Sequence, residues 1–282
     1  DTPFEDLPLA SYRPESMTGL VVLLHGTGGD GPNLVDTTET VAILNALVAR
    51  GMGFVAPTSD DRVGRVWDTR STPDANADVA RLVRLRDTLI ANGVLAAETP
   101  IVLWGFSNGG TFASYLSNAL PALGWPIRAT AIHGMTGSGD RYRTPGPGPV
   151  WWSIGEHDDK IDLSQGQAQY DDHVASGRVG AWRPHLEGAL EPLRFMRTGY
   201  YDASESVTIF RQAVDAGLVD AQGLRLFPAA SLEGAINAFT RDNDVLYEKP
   251  ATAVLKVVFA GHAVNGAYAD EEATFLSAPP MP

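Results

Sequence analysis

The stretch Ile101–Ser114, "IVLWGFSNGGTFAS", decides the fold. Its first half is apolar on both faces, as a buried strand should be. Its last part, continuing through "YLSNAL", suits a helix that starts near Asn108. Between them lies Gly105-Phe106-Ser107-Asn108-Gly109, a G-x-S-x-G pattern. A strand that turns sharply into a helix holds the central serine in a strained conformation and makes its hydroxyl protrude. Small residues two before and two after let the backbone close that tightly. The new helix offers free N–H groups and the positive end of its dipole at the same spot.

Working outward, the same strand-then-helix rhythm recurs. "GLVVLLHG" (Gly19–Gly26) reads as a central strand ending in a glycine loop, "TGGDGPN". Asn33 is placed to cap a following helix carrying Leu34, Val41, Leu44 and Val48. "GMGFVAPTS" reads as another strand. "PDANADVARLVRLRDTLIANG" reads as a helix with Val79, Leu82, Val83, Leu89 and Ile90 on one stripe, Arg81 and Arg84 off it, and Gly93 at the C-terminal cap. "IRATAIHG" and "PVWWSIGEHDD" predict two more strands, "ATAVLKVVFAGH" a late one, and "DEEATFLSA" a final helix. Strands alternating with helices require crossover connections, hence a mostly parallel sheet with helices on both faces.

One region breaks the rhythm. Residues 163–250 carry helical patterns and little clear strand, including "SESVTIFRQAVDAG", with Ser204 as N-cap, and "SLEGAINAFTRD". That is too long for one crossover. The expectation is an α/β core from 1–162 and 251–282, with 163–250 as a mainly helical lid or insertion before the last strand.

Bulk properties narrow the function classes. The chain has 282 residues and a formal net charge of −13, which opposes nucleic-acid binding and attraction to anionic membranes. No apolar run reaches membrane-spanning length. With no cysteine, disulfides, thiolate catalysis and zinc–cysteine sites are excluded. The first residue is Asp1 rather than Met, so a trimmed export signal is expected, making the protein secreted or periplasmic, with the cytoplasm as the alternative. Monomer and homodimer stay equally open.

A nucleophilic serine needs a base, an orienting acid and oxyanion donors. His262 follows the last apolar run beside Gly261 and is the expected base. "GEHDD" supplies the acid, with Asp158 ahead of Asp159, while Asp162 is placed to cap the next helix. The competing reading of these carboxylates is a calcium loop, which would want more oxygen ligands at regular spacing. The oxyanion donors should be the N–H of Asn108 and one from "HGTGGDG", Thr27 first and Gly28 next. That loop lacks the spacing of a phosphate-binding loop. Trp67, His133 and Phe106 are candidates for lining the substrate site, with His133 able to act behind it instead. His25 should brace its loop rather than take a proton. Trp104, Trp151 and Trp152 should pack in the core.

Taken in order, "LLHGTGGDG", "GFSNGG", "GEHDD" and "FAGH" resemble the α/β-hydrolase superfamily. They look like the esterases related to polyhydroxybutyrate depolymerases and feruloyl esterases. The resemblance covers residues of roughly 20–160 and 251–277. It implies a Ser107, Asp158, His262 triad, an acyl-enzyme, no metal or organic cofactor, and a small or polymeric ester as substrate. A serine peptidase or amidase on the same fold is the alternative. The chain departs from compact members in the long interval between Asp158 and His262, which points to a covered pocket.

Overall fold

The computed structural model describes residues 4–243, 245 and 247–278. The described residues fall into two compact units. One takes those within Asp1–Ser153, Ser164–Arg183 and Gly266–Pro282; the other takes Ile154–Leu163 and Pro184–Asn265.

The first unit is built on a sheet. Its strands are β1 (Leu9–Tyr12), β2 (Gly19–Leu24), β3 (Met52–Pro57), β4 (Ile101–Phe106), β5 (Ile127–His133), β6 (Val150–Ser153) and β7 (Gly180–Trp182). Among the described residues they run in the order β1-β3-β2-β4-β5-β6-β7. Only β1 is antiparallel to its neighbour; the other pairs are parallel. This is the mostly parallel sheet expected from the alternation of strands and helices.

The helices of this unit are α1 (Gly31–Val35), α2 (Thr38–Val48), α3 (Ala77–Ala91), α4 (Asn108–Ala119) and α5 (Leu163–Ala175), whose first residue belongs to the second unit. On one face of the sheet, Leu20, Val22 and Leu24 pack with Val79, Leu82 and Leu85 of α3 and Phe112 and Leu116 of α4. The alternate residues Val21 and Leu23 are equally buried, so the opposite face is covered too. There α2 packs on β3 and on a helix near the C-terminus, Ala269–Ser277, which also meets β5 and β6. Each fully buried Leu or Phe contributes about 1.5–3 kcal/mol. As expected, Trp104, Trp151 and Trp152 are core residues.

The second unit is mainly helical: α6 (Ala203–Asp215), α7 (Leu232–Asp242) and α8 (Glu248–Val258). The Ala269–Ser277 helix of the first unit is α9. The core of the second unit joins Leu190, Phe195, Ile209, Ile236, Leu255 and Phe259.

Several local expectations need correction. The expected late strand "ATAVLKVVFAGH" is helix α8 and the loop after it. Its buried residues, Ala251, Val254, Leu255 and Val258, recur at helical spacing, and this outweighs the β-branched composition. The sheet's last strand is instead β7, three residues long and inside the region expected as insertion. The units therefore divide the chain elsewhere than 1–162 and 251–282 against 163–250. Helix α1 is capped by Asp30, not Asn33, whose N–H donates to the Asp30 carboxylate. Helix α6 is capped by Asp202, not Ser204, in a reciprocal capping box with Glu205. Arg81 is buried, and its Nη1 donates to the Thr58 carbonyl at 2.5 Å.

Candidate active site

In the first unit, parallel register lines up the strand ends. Leu24 lies opposite Gly105, and Phe106 lies opposite His133. The chain leaving β2 and the chain leaving β4 therefore emerge side by side. Ser107 is the first residue past β4, with φ 55° and ψ −125°, and α4 begins at the next residue. Side chains rarely adopt a positive φ, and such strain persists only where surroundings enforce it. Here they do: the Ser107 N–H donates to the His133 carbonyl at 2.8 Å, and its own carbonyl accepts from Gly110 at 2.8 Å.

The flanking glycines are steric requirements. A Cβ on Gly105 would stand 2.0 Å from the Gly109 carbonyl oxygen, and one on Gly109 would stand 2.1 Å from the Leu24 carbonyl oxygen. Helix α4 therefore rests directly on the backbones of β2 and β4, and the turn closes only with glycine in both places. Ser107 itself is half-buried.

Of the expected oxyanion donors, Asn108 holds the first helical position, so its N–H has no intrahelical acceptor. Thr27 is exposed, and its N–H has no acceptor among the described residues. The Gly28 N–H is occupied: it donates to the Arg65 carbonyl at 3.2 Å. Of these two loop N–H groups, the one at Thr27 is the one without an acceptor among the described residues. His25 is buried, with Nδ1 donating to the Gly26 carbonyl and Nε2 accepting from the Ser59 N–H at 3.0 Å. Both nitrogens are thereby assigned, and burial pushes its pKa down, so the ring is neutral and braces the loop.

The three residues expected to line the substrate site are placed differently from one another. Phe106 is half-buried beside Gly26. Trp67 is 2% exposed, stacked on Phe112 with its Nε1 donating to the His25 carbonyl at 2.9 Å. His133 is 1% exposed; its Nε2 meets Glu272 Oε1 at 2.9 Å, the oxygen that also accepts from Trp104 Nε1. Both rings are thus buried in the unit's interior. Glu272 is wholly buried, and its sequence setting in "YADEEATF" gives no sign of it, because a glutamate in a first helical turn reads as solvated.

The second unit brings Asp158 and His262 together. His262 Nδ1 lies 2.8 Å and 3.0 Å from the two carboxylate oxygens of Asp158. An imidazole nitrogen facing a carboxylate carries the proton, which leaves Nε2 with the lone pair. The Asp158 side chain is fully buried, and its Oδ1 also accepts from the N–H groups of Lys160 and Ile161. Asp159 instead pairs with Lys160 at 2.6 Å and is exposed. The neighbouring carboxylates diverge: Glu156 accepts from the Glu187 N–H. Among the described residues no group of three or more His, Cys, Asp or Glu is placed to hold a metal ion.

Two backbone features make the Asp158–His262 contact possible. Gly155 lies so close to the turn before His262 that a Cβ there would stand 2.2 Å from the Ala260 carbonyl oxygen. Ala260 itself has a φ of 51°, a strained value for alanine. Its carbonyl accepts from the His157 N–H at 2.9 Å. Glycine on one side and strain on the other bring the "GEHDD" and "AGH" turns to hydrogen-bond range.

An ion-pair bridge reinforces them. Glu233 on α7 pairs with Lys256 on α8 at 2.9 Å and with Lys160 beside Asp158 at 3.4 Å. The Lys256 ammonium, and less strongly Lys160, hold the Glu233 carboxyl down to about 2 from an ordinary 4.5. A lowered carboxylate pKa stabilises the fold above the unfolded value and is lost as pH falls from 4.5 through about 2. Because Glu233 is 40% exposed, screening limits the contribution to about 0.5–1 kcal/mol. Glu233→Gln should therefore lower stability by that amount at pH 7. The difference from the parent should roughly halve at pH 3, as read by urea titrations at the two pH values.

No family model matches this chain, and no curated protein sequence matches it. Solved structures do resemble it. A Bacillus cereus carboxylesterase is 16% identical, covering 65% of this chain and 85% of its own, with a TM-score of 0.45. Esterase PE8 is 18% identical, covering 73% and 97%, with a TM-score of 0.46. The thermophilic esterase Est2 of Thermogutta terrifontis, bound to propionate, is 16% identical, covering 77% and 92%, with a TM-score of 0.48. At these values the activity of this chain has to be argued from its own residues.

Proposed function

We propose that this protein hydrolyses carboxylic esters through an acyl-enzyme on Ser107, with His262 as general base and Asp158 as the acid that orients it. The observation that carries the reading is the backbone of Ser107, forced to φ 55° between a strand and a helix by two glycines that cannot be replaced. A fold tolerates such strain where a side chain must protrude. The second half of the machinery, an imidazole oriented by a buried carboxylate, is supported by the Asp158–His262 pair.

In this mechanism Ser107 Oγ attacks the ester carbonyl while His262 Nε2 takes its proton. The N–H groups of Asn108 and Thr27 receive the developing oxyanion. Collapse breaks the bond to the alcohol, which leaves with the proton from His262. Water then attacks the acyl-serine by the same route, releasing the acid and restoring the hydroxyl. The substrate is a small ester or a hydroxyalkanoate-type polyester.

The test is twofold. A fluorophosphonate probe should label Ser107, located by peptide mass spectrometry. A panel of p-nitrophenyl esters of rising acyl length, a polyhydroxybutyrate film and matched anilides should show turnover of esters far above anilides. Labelling elsewhere, or anilide turnover equal to that of the esters, would refute the reading. Release of soluble acids from the film would extend the substrate range to polymers.

A further inference from the structure

The loop between β3 and α3 is better ordered by hydrogen bonds than a surface connection needs to be. The buried Asp78 carboxylate, on the first turn of α3, accepts from the N–H of Asp60 at 2.7 Å and from that of Asp68 at 2.8 Å. Both ends of residues 60–68 are thus fixed to one side chain. Within this span, Arg65 has a φ of 49°, strained for arginine. That conformation accompanies the presentation of its carbonyl to the Gly28 N–H. The Arg65 guanidinium meets the Asp30 carboxylate at 2.8 Å, on the far side of the same glycine loop.

Two residues on, Trp67 grips both sides of the proposed oxyanion site. Its backbone N–H donates to Asn108 Oδ1 at 2.7 Å, and its carbonyl accepts from Asn108 Nδ2 at 3.4 Å. Its indole N–H donates to the His25 carbonyl at 2.9 Å. Its ring stacks on Phe112, one turn into α4, at 5.0 Å between centroids and 10° between planes. One residue therefore ties the serine turn to the loop after β2.

Several backbone groups of that loop are engaged. The His25 carbonyl takes the indole N–H, the Gly26 carbonyl takes the Gly29 N–H, and the Gly28 N–H goes to Arg65. Thr27 is exposed, and its N–H has no acceptor among the described residues.

We infer that residues 60–68 form a clasp that sets the spacing of the two oxyanion donors, and that Trp67 and the Asn108 side-chain amide are its positioning residues. Asn108 then has two roles: its N–H is a donor, and its side chain aligns the partner donor through Trp67. The inference rests on the serine-hydrolase reading. It assigns Trp67 to the donors rather than to the substrate. Donors must sit within a few tenths of an ångström of the oxyanion, so a loosened clasp acts on turnover.

Trp67→Phe is the sharpest test, because phenylalanine keeps an aromatic ring against Phe112 while losing the indole N–H together with the fused five-membered ring. With p-nitrophenyl acetate, kcat per fluorophosphonate-titrated site should fall on the order of tenfold, with KM within about twofold of the parent. Affinity for a trifluoromethyl ketone, which forms a tetrahedral oxyanion, should fall by the same factor. Asn108→Ala should reproduce both losses. Amide hydrogen exchange across residues 25–29 should quicken in Trp67→Phe.

An unchanged kcat per titrated site would overturn the clasp, as would a rise in KM alone, which would make Trp67 a substrate contact. Exchange is read without turnover. If the parent neither turns over esters nor labels at Ser107, the serine-hydrolase reading fails by itself. Unchanged exchange at residues 25–29 in Trp67→Phe would then separately overturn the clasp.

Discussion

Ser107→Ala should lower ester turnover by about 10⁵-fold or more while leaving the protein folded. Removing a nucleophile abolishes the acyl-enzyme route and leaves only the background supplied by binding and oxyanion donors. The same position predicts a stability effect in the opposite direction. The backbone at Ser107 is held at φ 55°, where any Cβ is strained, so alanine inherits the strain and glycine relieves it. Ser107→Gly should therefore be as inactive as Ser107→Ala but more stable by about 1 kcal/mol, or roughly 2–4 °C in melting temperature for a chain of this size. Measured kcat values and thermal melts of the three proteins check both parts. Residual activity above about 1% in either variant would place the nucleophile elsewhere. Equal melting of the two variants would show that the turn is not strained as its dihedral angles indicate.

Legibility followed how local each signal was. The turn at Ser107 is readable because its sequence signature lies within five residues, two of them glycines needed for close approach. The central strands β2 and β4 are readable because burial on both faces leaves a continuous apolar run. Strand β1 was not, since "LASY" is a short edge strand with two exposed residues, and β7 is only three residues long. Helix α8 was misread because Val and Leu in "AVLKVV" satisfy a strand's composition, while its helical spacing shows only over the full eleven residues.

The site divides the same way. Asp158 ahead of Asp159 could be argued from distance past the strand. What settles their different surroundings is nonlocal: one carboxylate is buried on His262 and two N–H groups, the other is exposed on a lysine. Trp67 illustrates the limit. A tryptophan in a polar loop invites a pocket role, and nothing nearby in sequence discloses that its partners are His25 and Asn108, 42 and 41 positions away.

Asp158→Asn should lower kcat by about 10³–10⁴-fold, whereas Asp159→Asn should stay within about twofold of the parent. The argument turns on which His262 nitrogen carries the proton. In the parent, Nδ1 faces the carboxylate at 2.8 Å, which favours the tautomer that keeps the lone pair on Nε2. Asparagine preserves the shape of the site, and its Oδ1 can still receive the Lys160 and Ile161 N–H groups that fix the turn. Its amide NH₂ then faces His262 and favours the tautomer with the proton on Nε2, which cannot serve as a base. The fold should survive this change, because the accepting oxygen remains. Asp158→Ala removes that oxygen as well, leaving two loop N–H groups without their acceptor, so it should lose a further 1–3 kcal/mol of stability, roughly, on top of a similar loss of turnover. Steady-state kinetics with urea unfolding separate the contributions: the asparagine variant isolates proton placement, and the alanine variant adds the cost of the unsatisfied turn. Near-normal kcat in Asp158→Asn, or a large loss in Asp159→Asn, would reassign the acid. A kcat loss in Asp158→Asn that scales with its loss of stability would reduce Asp158 to a brace for its turn.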